Sequence, residues 1–535
     1  MAQKRRSFLY IPLVVLVCSV LGGIYGPRIR VAAAASSDDA NEVDSAAKNF
    51  LQVYALVEQN FADKVDPNKA IYKGAIPGML RTLDPHSNFF DPHDFEALKE
   101  EQHGHYYGVG MTVQGRNGKT IVIAPFKGSP AYKAGIRPGD IINKVNGTST
   151  DNLDTTKVAD MLKGPRGTPV DIVVLREGTD EPLSFHVIRD EINRESVRDA
   201  EWIKPGIAYV EIEQFIENTG HDLQVALDHM GQNNIKGLIL DLRFNPGGLL
   251  NEGIAVADQF LNKGDVVVSH HGHNSPEKIY TAQHGNHGHN YPIVVLVNHL
   301  SASAAEIVSG ALQDHDRAWI LGENTFGKGL VQTVFPLAEN CGLALTTYRY
   351  YTPSGRLIQR DYSNLSLYDY YYNRESEDNN ANKEVKLTDG GRTVYGGGGI
   401  TPDVKLPPYK SNKFQDSLLQ HYAIFNFAKN YANAHKIAQS FEVDDVILLD
   451  FRKFLDSEKI PYTEAELLEN NDWLRSSLKS EIFVNAFGQE EGLKVRAETD
   501  PSVIKALELM PQARTLSDNA RKFIATRNAA TPASR

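Results

Sequence analysis

The alternation of short apolar runs with helical segments between Arg198 and Asp403 constrains the fold of this chain most strongly. Apolar runs of four to six residues flanked by turn residues predict buried strands, and helical spacing of apolar residues predicts helices. The runs lie at 207–212, 238–242 and 293–297, and the helical segments at 222–230 and 304–313. Strands that alternate with helices in this way predict an α/β core.

Residues 105–190 carry the pattern of a small peptide-binding β domain. The features are the loop Tyr107, Gly108, Val109, Gly110 and Met111, the run SPAYKAGIRPGDII at 129–142, a hairpin turn at 145–147, and alternating apolar residues at 170, 172 and 174. Together these segments resemble a PDZ domain, and a generic small β domain is the other interpretation. The resemblance implies that the loop amides hold the terminal carboxylate of a peptide added as an edge strand. Lys163 or Arg166 could supply a cation for that carboxylate, and the alternative for each is solvated surface charge.

Ser303 and Lys328 lie in the two segments that point to chemistry. A serine hydroxyl needs a base to become a nucleophile, and a lysine is a base only where desolvation lowers its pKa. Ser303 follows a predicted strand and begins a predicted helix, where the Ala304 amide can stabilise an oxyanion. Ser303 also fits a capping box with Glu306, and Ser301 is the rival nucleophile.

Lys328 and Gln332 lie in the run TFGKGLVQ at 325–332. Taken alone, Lys328 would be a surface lysine in a glycine turn. If residues 328–332 are extended, however, Lys328 and Gln332 point to the same face. The amide of Gln332 could then orient the amine of Lys328.

The serine and lysine segments, with their spacing, resemble the carboxy-terminal processing (tail-specific) proteases. The resemblance covers residues 47–407 and implies a Ser303–Lys328 dyad assisted by Gln332. It also implies an oxyanion hole formed by Ala304 with Gly247 or Gly248, and leaves open which glycine amide donates. The resemblance implies a crotonase-like ββα-spiral core and no metal or organic cofactor. The segment GMLRTLDPHS at 78–87 resembles the N-terminal helical region of this family.

The sequence predicts a multidomain α/β protein. Its parts are a signal peptide or membrane anchor at 1–35, an N-terminal helical region at 36–104 that opens with a polar linker at 36–46, a PDZ domain at 105–190, a Ser-Lys protease core at 191–408 and a helical C-terminal extension at 409–535. Lys4, Arg5 and Arg6 precede an uncharged stretch at 7–27 and alanines at 32–35, which indicates export. The stretch could also span a bilayer uncleaved. Whether it is cleaved stays open.

Composition restricts the partners. A net charge of −11 argues against nucleic acid, and Cys18 and Cys341 leave the body without an internal disulfide. The histidines at 270, 271, 273, 284, 287 and 289 lack metal-site spacing, so we predict no metal. Residues 362–399 are expected to be a surface insertion, and 418–434, 446–455 and 473–487 to be helices.

These features predict an exported serine endopeptidase that cleaves proteins near their C-termini and recognises free C-terminal tails through its PDZ domain. We expect an extracytoplasmic location, either periplasmic or at the cell envelope, while membrane association and homo-oligomer formation stay open. The alternative is a non-catalytic PDZ scaffold or chaperone on a protease-like fold.

Overall fold

The computed structural model describes residues 37–179, 181–273, 275–363, 365–372 and 384–530. The predicted signal or anchor at 1–35 lies outside these residues. The chain divides into two compact units, Met1–Thr82 and Leu83–Arg535. Among the helices of the described residues, none is both long and apolar enough to cross a membrane.

The first unit is helical. It contains α1 (Ser37–Asn60), a π-helix (Asn68–Ala75) and α2 (Ile76–Arg81). The prediction of helices here is confirmed, but the predicted linker at 36–46 is wrong from residue 37 onward, because α1 already begins there. The stretch is rich in alanine and acidic residues that favour a helical start, and Asp44 pairs with Lys48 one turn later (3.1 Å).

The second unit begins with β1 (Asn88–Phe90) and α3 (Pro92–His103), which lead into a β domain. Its elements are β2 (His105–Gly108), β3 (Met111–Arg116), β4 (Lys119–Pro125), α4 (Pro130–Ala134), β5 (Ile141–Val145), β6 (Thr148–Ser149), α5 (Thr155–Leu162), β7 (Pro169–Leu175), β8 (Leu183–Ile188) and β9 (Asp190–Asn193). The sheet has the order β3-β4-β5-β7-β8, with β6 paired to β5, while β2 pairs with β9. Asn146 and Gly147 have positive φ between β5 and β6, so the hairpin turn is confirmed.

A six-stranded sheet forms the core. The elements of this part of the chain are β10 (Val197–Lys204), β11 (Ile207–Ile212), α6 (Thr219–Met230), β12 (Gly237–Asp241), α7 (Leu250–Asp258), β13 (Val266–Gly272), β14 (Ser275–Thr281), β15 (Ile293–Val297), α8 (Ala304–Asp314), β16 (Ala318–Gly322) and, later in the chain, β21 (Val404–Lys405). The strand order of the sheet is β10-β11-β12-β15-β16-β21. From β11 to β21 the strand pairs are parallel. The predicted α/β core is confirmed, and the loops after β12 and β15 leave at the carboxyl ends of neighbouring strands, where α/β proteins bind ligands.

A second sheet brings distant segments together. After β16 (Ala318–Gly322) come β17 (Leu330–Pro336) and the long β18 (Gly342–Tyr351). β18 pairs with β17 on one side and with β1 and β13 on the other. The segment just before β1 therefore lies beside β18, which separates it from β17, the strand that follows Lys328.

The remaining elements differ from the sequence predictions in two places. They are α9 (Leu367–Tyr372), β19 (Val385–Leu387), β20 (Thr393–Tyr395), β21 (Val404–Lys405), α10 (Lys413–Gln420), α11 (Ala423–Ala434), α12 (Asp445–Ser457), α13 (Glu464–Glu469), α14 (Asn471–Phe487), α15 (Gln489–Thr499) and α16 (Pro501–Ala530). The segment 362–399 is not simply a surface insertion, because Tyr370 is only 1% exposed. The single helix expected at 418–434 is two helices, because Tyr422 has a left-handed φ of 53° between them.

The helices pack on both faces of the core sheet. On one face α6, α7 and α8 contribute to a large apolar cluster. On the other face Val503, Ala506 and Leu509 of α16 pack against Ile239 and Val294 of the sheet. The C-terminal helix is therefore part of the packing of the α/β core.

Candidate active site

Ser303 occupies a strained position at the start of α8. Its φ of 53° and ψ of −112° are unusual for a residue with a side chain, and such conformations cost on the order of 1–3 kcal/mol. Ser303 forms the expected capping box with Glu306, whose Oε2 accepts a hydrogen bond from the Ser303 N–H (2.9 Å). The Tyr350 hydroxyl donates to the Ser303 carbonyl (3.1 Å). These contacts hold Ser303 at the positive end of a helix.

Ser301, the rival nucleophile, is fully buried. Its hydroxyl donates to the carbonyl of Leu242 (2.7 Å) and accepts from the amide of Asn298 (2.9 Å). The proton of Ser301 is therefore engaged in holding two loops together, and this geometry disfavours Ser301 as a nucleophile.

Glu306 links the serine to the lysine segment, a role that the sequence did not indicate. Its Oε2 accepts from the amide of Lys328 as well as that of Ser303, both at 2.9 Å. Its Oε1 accepts from the hydroxyl of Thr325 (2.5 Å) and the amide of Gly327 (2.6 Å). One carboxylate thus fixes the backbone of both predicted catalytic residues.

The buried environment shifts the ionisation of both charged groups. Burial raises the pKa of the fully enclosed Glu306 carboxyl, while the donors from Thr325, Lys328, Gly327 and Ser303 oppose this shift. Each Glu306 oxygen faces two donors, an arrangement that matches the ionised form, which only accepts. Burial lowers the pKa of Lys328, and the negative charges of Glu306 and Asp84 oppose that shift. The desolvation that a lysine base requires is therefore present.

Gln332 lies in β17, but the extended strand begins only at Leu330, so the expectation of an extended 328–332 holds for its last three residues. The Gln332 side chain donates to the hydroxyl of Thr346 (3.2 Å). Among the described residues no hydrogen bond joins Lys328 to Gln332 or to the Ser303 hydroxyl.

A turn before β1 lies beside the base, and sequence reasoning missed this role. Asp84 accepts from the amides of His86 (2.7 Å) and Ser87 (2.8 Å) and from the Ser87 hydroxyl (2.7 Å). The amide of Thr346 donates to the Ser87 hydroxyl oxygen (3.1 Å), which connects the turn to Gln332. Burial, with Lys328 nearby, lowers the pKa of His86 to about 4. The sequence related GMLRTLDPHS at 78–87 only to the N-terminal helical region, and gave no indication that its last residues reach the site.

The turn after β12 packs directly on the serine. A Cβ on Gly247 would lie 2.7 Å from the Ser303 Cβ and from the Ala302 carbonyl oxygen, so only glycine fits. The Gly247 amide already donates to Asn245 Oδ1 (2.8 Å). In the part of the chain that the structure describes, the amides of Gly248 and Ala304 have no acceptor. Of the two glycines considered, Gly248 therefore has the available N–H.

The β domain has an edge strand. Within the described residues β3 pairs only with β4, and Thr155 at the start of α5 lies close to Gly115 of β3. No described acceptor takes the amides of Val109 or Gly110, while the Tyr107 carbonyl accepts from Gly164 (3.2 Å). Lys163 follows α5 and pairs with Glu100 of α3 (2.8 Å).

Arg166 and the histidine tract, which the sequence analysis also considered, make contacts of their own away from Ser303 and Lys328. Arg166 pairs with Asp190 (2.8 Å) and is well exposed. The histidine tract begins inside β13, and its members have separate partners: His270 contacts the Tyr280 hydroxyl (3.1 Å) and His284 pairs with Asp258 (2.9 Å).

Four family models match parts of this chain. Residues 206–363 match the peptidase family S41, 121–176 match a PDZ domain, 414–466 match the C-terminal helical domain of probable PDZ-proteases, and 28–93 match the N-terminal domain of the activating protease CtpB. Among solved structures, the photosystem II D1 C-terminal processing protease is 28% identical, with 67% of this chain and 92% of that chain covered and a TM-score of 0.35.

Two curated relatives are similar over most of their own length. The carboxy-terminal-processing protease of Bartonella bacilliformis is 40% identical over 314 residues, which is 58% of this chain and 72% of the relative. The carboxy-terminal processing protease CtpB of Bacillus subtilis is 34% identical over 333 residues, or 62% of this chain and 68% of the relative. Together with the S41 and PDZ matches, these similarities establish that the chain belongs to the carboxy-terminal processing proteases, serine proteases of peptidase family S41 that carry a PDZ domain.

Proposed function

We propose that this protease is an exported endopeptidase that cleaves proteins near their C-termini with a Ser303–Lys328 dyad. The observation that carries the proposal is the shared acceptor, Glu306 Oε2, which holds the amides of Ser303 and Lys328 at the same distance. The lowered pKa of Lys328 and the packing of Gly247 on Ser303 support it. Export rests on the N-terminal sequence pattern.

The reaction follows acyl-enzyme chemistry. Neutral Lys328 takes the proton of the Ser303 hydroxyl as Oγ attacks the scissile carbonyl carbon. The amides of Ala304 and Gly248 stabilise the oxyanion. Lys328 then donates its proton to the departing amine, leaving an acyl-enzyme. Water attacks this ester with Lys328 again as the base, which releases the new C-terminus and restores Ser303.

The hydrogen bond between Ser303 and Lys328 forms when substrate binds, since catalytic hydrogen bonds are often long in the free enzyme. Gln332 orients the lysine from β17, and its partner Thr346 is itself held by Ser87. The dyad thus depends on the turn before β1 as well as on the core.

Substitution of the dyad tests this assignment most directly. Ser303→Ala and Lys328→Ala should each lower the cleavage of an unfolded protein by at least about 1000-fold, as followed by mass spectrometry, with unchanged circular dichroism. Gln332→Ala should retain more activity, because it orients the amine and transfers no proton. Near-normal activity in Ser303→Ala with an inactive Ser301→Ala would transfer the nucleophile to Ser301. If every variant matched the wild type and no cleavage occurred, the scaffold alternative would stand.

The pH dependence of cleavage should report on Lys328. Because burial lowers its pKa from 10.5, the neutral fraction of the amine, and with it kcat/KM, should rise as pH increases through this lowered pKa. The measurement is the pH profile of kcat/KM on a short peptide. An ascending limb near 6.5, the ordinary value of histidine, would contradict a lysine base.

Glu306→Gln should damage both stability and rate. The side-chain NH2 group of glutamine would face N–H or O–H donors and could not accept their hydrogen bonds. Each buried donor left without an acceptor costs about 1–3 kcal/mol. We expect a loss of about 2 kcal/mol or more in the free energy of unfolding and a fall in kcat of at least about 10-fold. The matched control is Glu323→Gln, which loses only a pair with the half-exposed His299. Equal effects of the two changes would contradict the linking role of Glu306.

The PDZ domain should select substrates by their free C-terminus. The amides of Val109 and Gly110 would donate hydrogen bonds to a tail carboxylate, beside an edge strand that can pair with the tail. Amidation of a substrate's C-terminus removes the charged acceptor and should raise KM several-fold. A short peptide that cannot reach the domain serves as the control and should be indifferent to amidation. Equal rates for free and amidated tails of the long substrate would contradict recognition of the free C-terminus by the PDZ domain.

A further inference from the structure

A short aromatic helix covers the lysine segment. α9 carries Tyr370, which is 1% exposed, whereas Tyr368 and Tyr372 on the same helix are 70% and 77% exposed. The ring of Tyr370 packs edge-on against Phe326 (centroids 5.6 Å apart) and His86 (5.5 Å). Phe326 is two residues before Lys328, so a helix from the predicted insertion lies against the base's own loop.

The polar atoms of Tyr370 connect three segments. Its hydroxyl is 3.0 Å from His86 Nε2 and accepts from Gln359 Nε2 (3.2 Å). The Arg360 guanidinium stacks on its ring (4.4 Å) and donates to its carbonyl. Tyr370 thereby joins the turn before β1 to Gln359 and Arg360 in the irregular segment that follows β18.

Gln359 and Arg360 hold the two glycines that flank Lys328. The amide of Gly329 donates to Gln359 Oε1 (2.9 Å), and the amide of Arg360 donates to the Gly327 carbonyl (2.9 Å). A Cβ on Gly329 would lie 2.8 Å from the Gln359 amide nitrogen, so the two segments are in close contact. Displacement of Tyr370 would loosen both supports of the lysine.

We propose that Tyr370 is a positioning residue for Lys328: it holds the lysine loop through Gln359 and Arg360 and, with His86 and Phe326, keeps water away from the amine. The inference rests on the proposed dyad. It gives the helix of the insertion a role in setting the protonation of the base.

The charged groups around the amine make this role measurable. They are Glu306 of α8 and Asp84 and His86 before β1, while Arg360 acts on His86 and stacks on Tyr370. Burial lowers the pKa of His86 to about 4 from an ordinary value of 6.5, so His86 is largely neutral above pH 7.5 whether buried or hydrated. A change in the profile above that pH therefore reports on Lys328.

The test compares Tyr370→Ala with Tyr368→Ala, an exposed tyrosine of the same helix. Water that enters beside the amine should raise the Lys328 pKa, so the ascending limb of kcat/KM should move to higher pH by roughly half a unit to one unit. Tyr368→Ala should show no shift.

A direct titration separates this inference from the dyad. In a Ser303→Ala background, competitive acetylation of Lys328 with acetic anhydride, read by mass spectrometry across pH, gives the pKa of the amine without any activity. We expect a higher value with Tyr370→Ala and a smaller increase with Tyr370→Phe, which keeps the ring. If Tyr370→Ala does not fold, the pKa of Lys328 measured in Tyr370→Phe decides the test. An unchanged Lys328 pKa would overturn the role of Tyr370, whereas an active Lys328→Ala would overturn the dyad.

Discussion

The buried carboxylate of Glu306 is the interaction on which the rest of the site depends. Removing such a charge from water costs several kcal/mol, and four hydrogen bonds from the backbone and Thr325 compensate for it. Two of these donors belong to the predicted nucleophile and base. Because a carboxylate has fixed geometry, Glu306 sets the spacing of the two segments, and it stabilises the positive end of α8 where Ser303 is strained.

The same carboxylate creates a conflict that the surrounding packing resolves. A lysine base must lose its proton, yet Glu306 and Asp84 favour the charged amine, while burial favours the neutral one. Burial is the larger effect, and it depends on segments that are distant in sequence, namely the turn at Asp84, α9 and the irregular segment after β18. Small changes in the packing of these segments should therefore affect the protonation of the Lys328 amine more than its position.

The sequence predicted the parts of the fold that follow a local pattern. The core strands, the hairpin at Asn146 and the helix that begins at Ala304 have periodicity or turn residues that any strand or helix needs. Residues that act through distant contacts had no such signal. Glu306 fitted an ordinary capping box, and Tyr370 lay in a run that is polar and glycine-rich overall. Their roles follow from strand pairing and helix packing, which bring residues together across tens or hundreds of positions.

The C-terminal helices also contribute to the site's frame. Arg243 lies two residues after β12, where it pairs with Asp241 (2.6 Å) and with Asp500 at the start of α16 (2.8 Å). Arg243 is also two residues before Asn245, which accepts the amide of Ala302 (2.9 Å) and the amide of Gly247. α16 packs on one face of the core sheet, and Arg243 joins its start to the end of β12. The turn that carries Gly248 is therefore fixed by α16 as well as by Asn245. The position of the free amides thus depends on a helix far beyond the catalytic motifs.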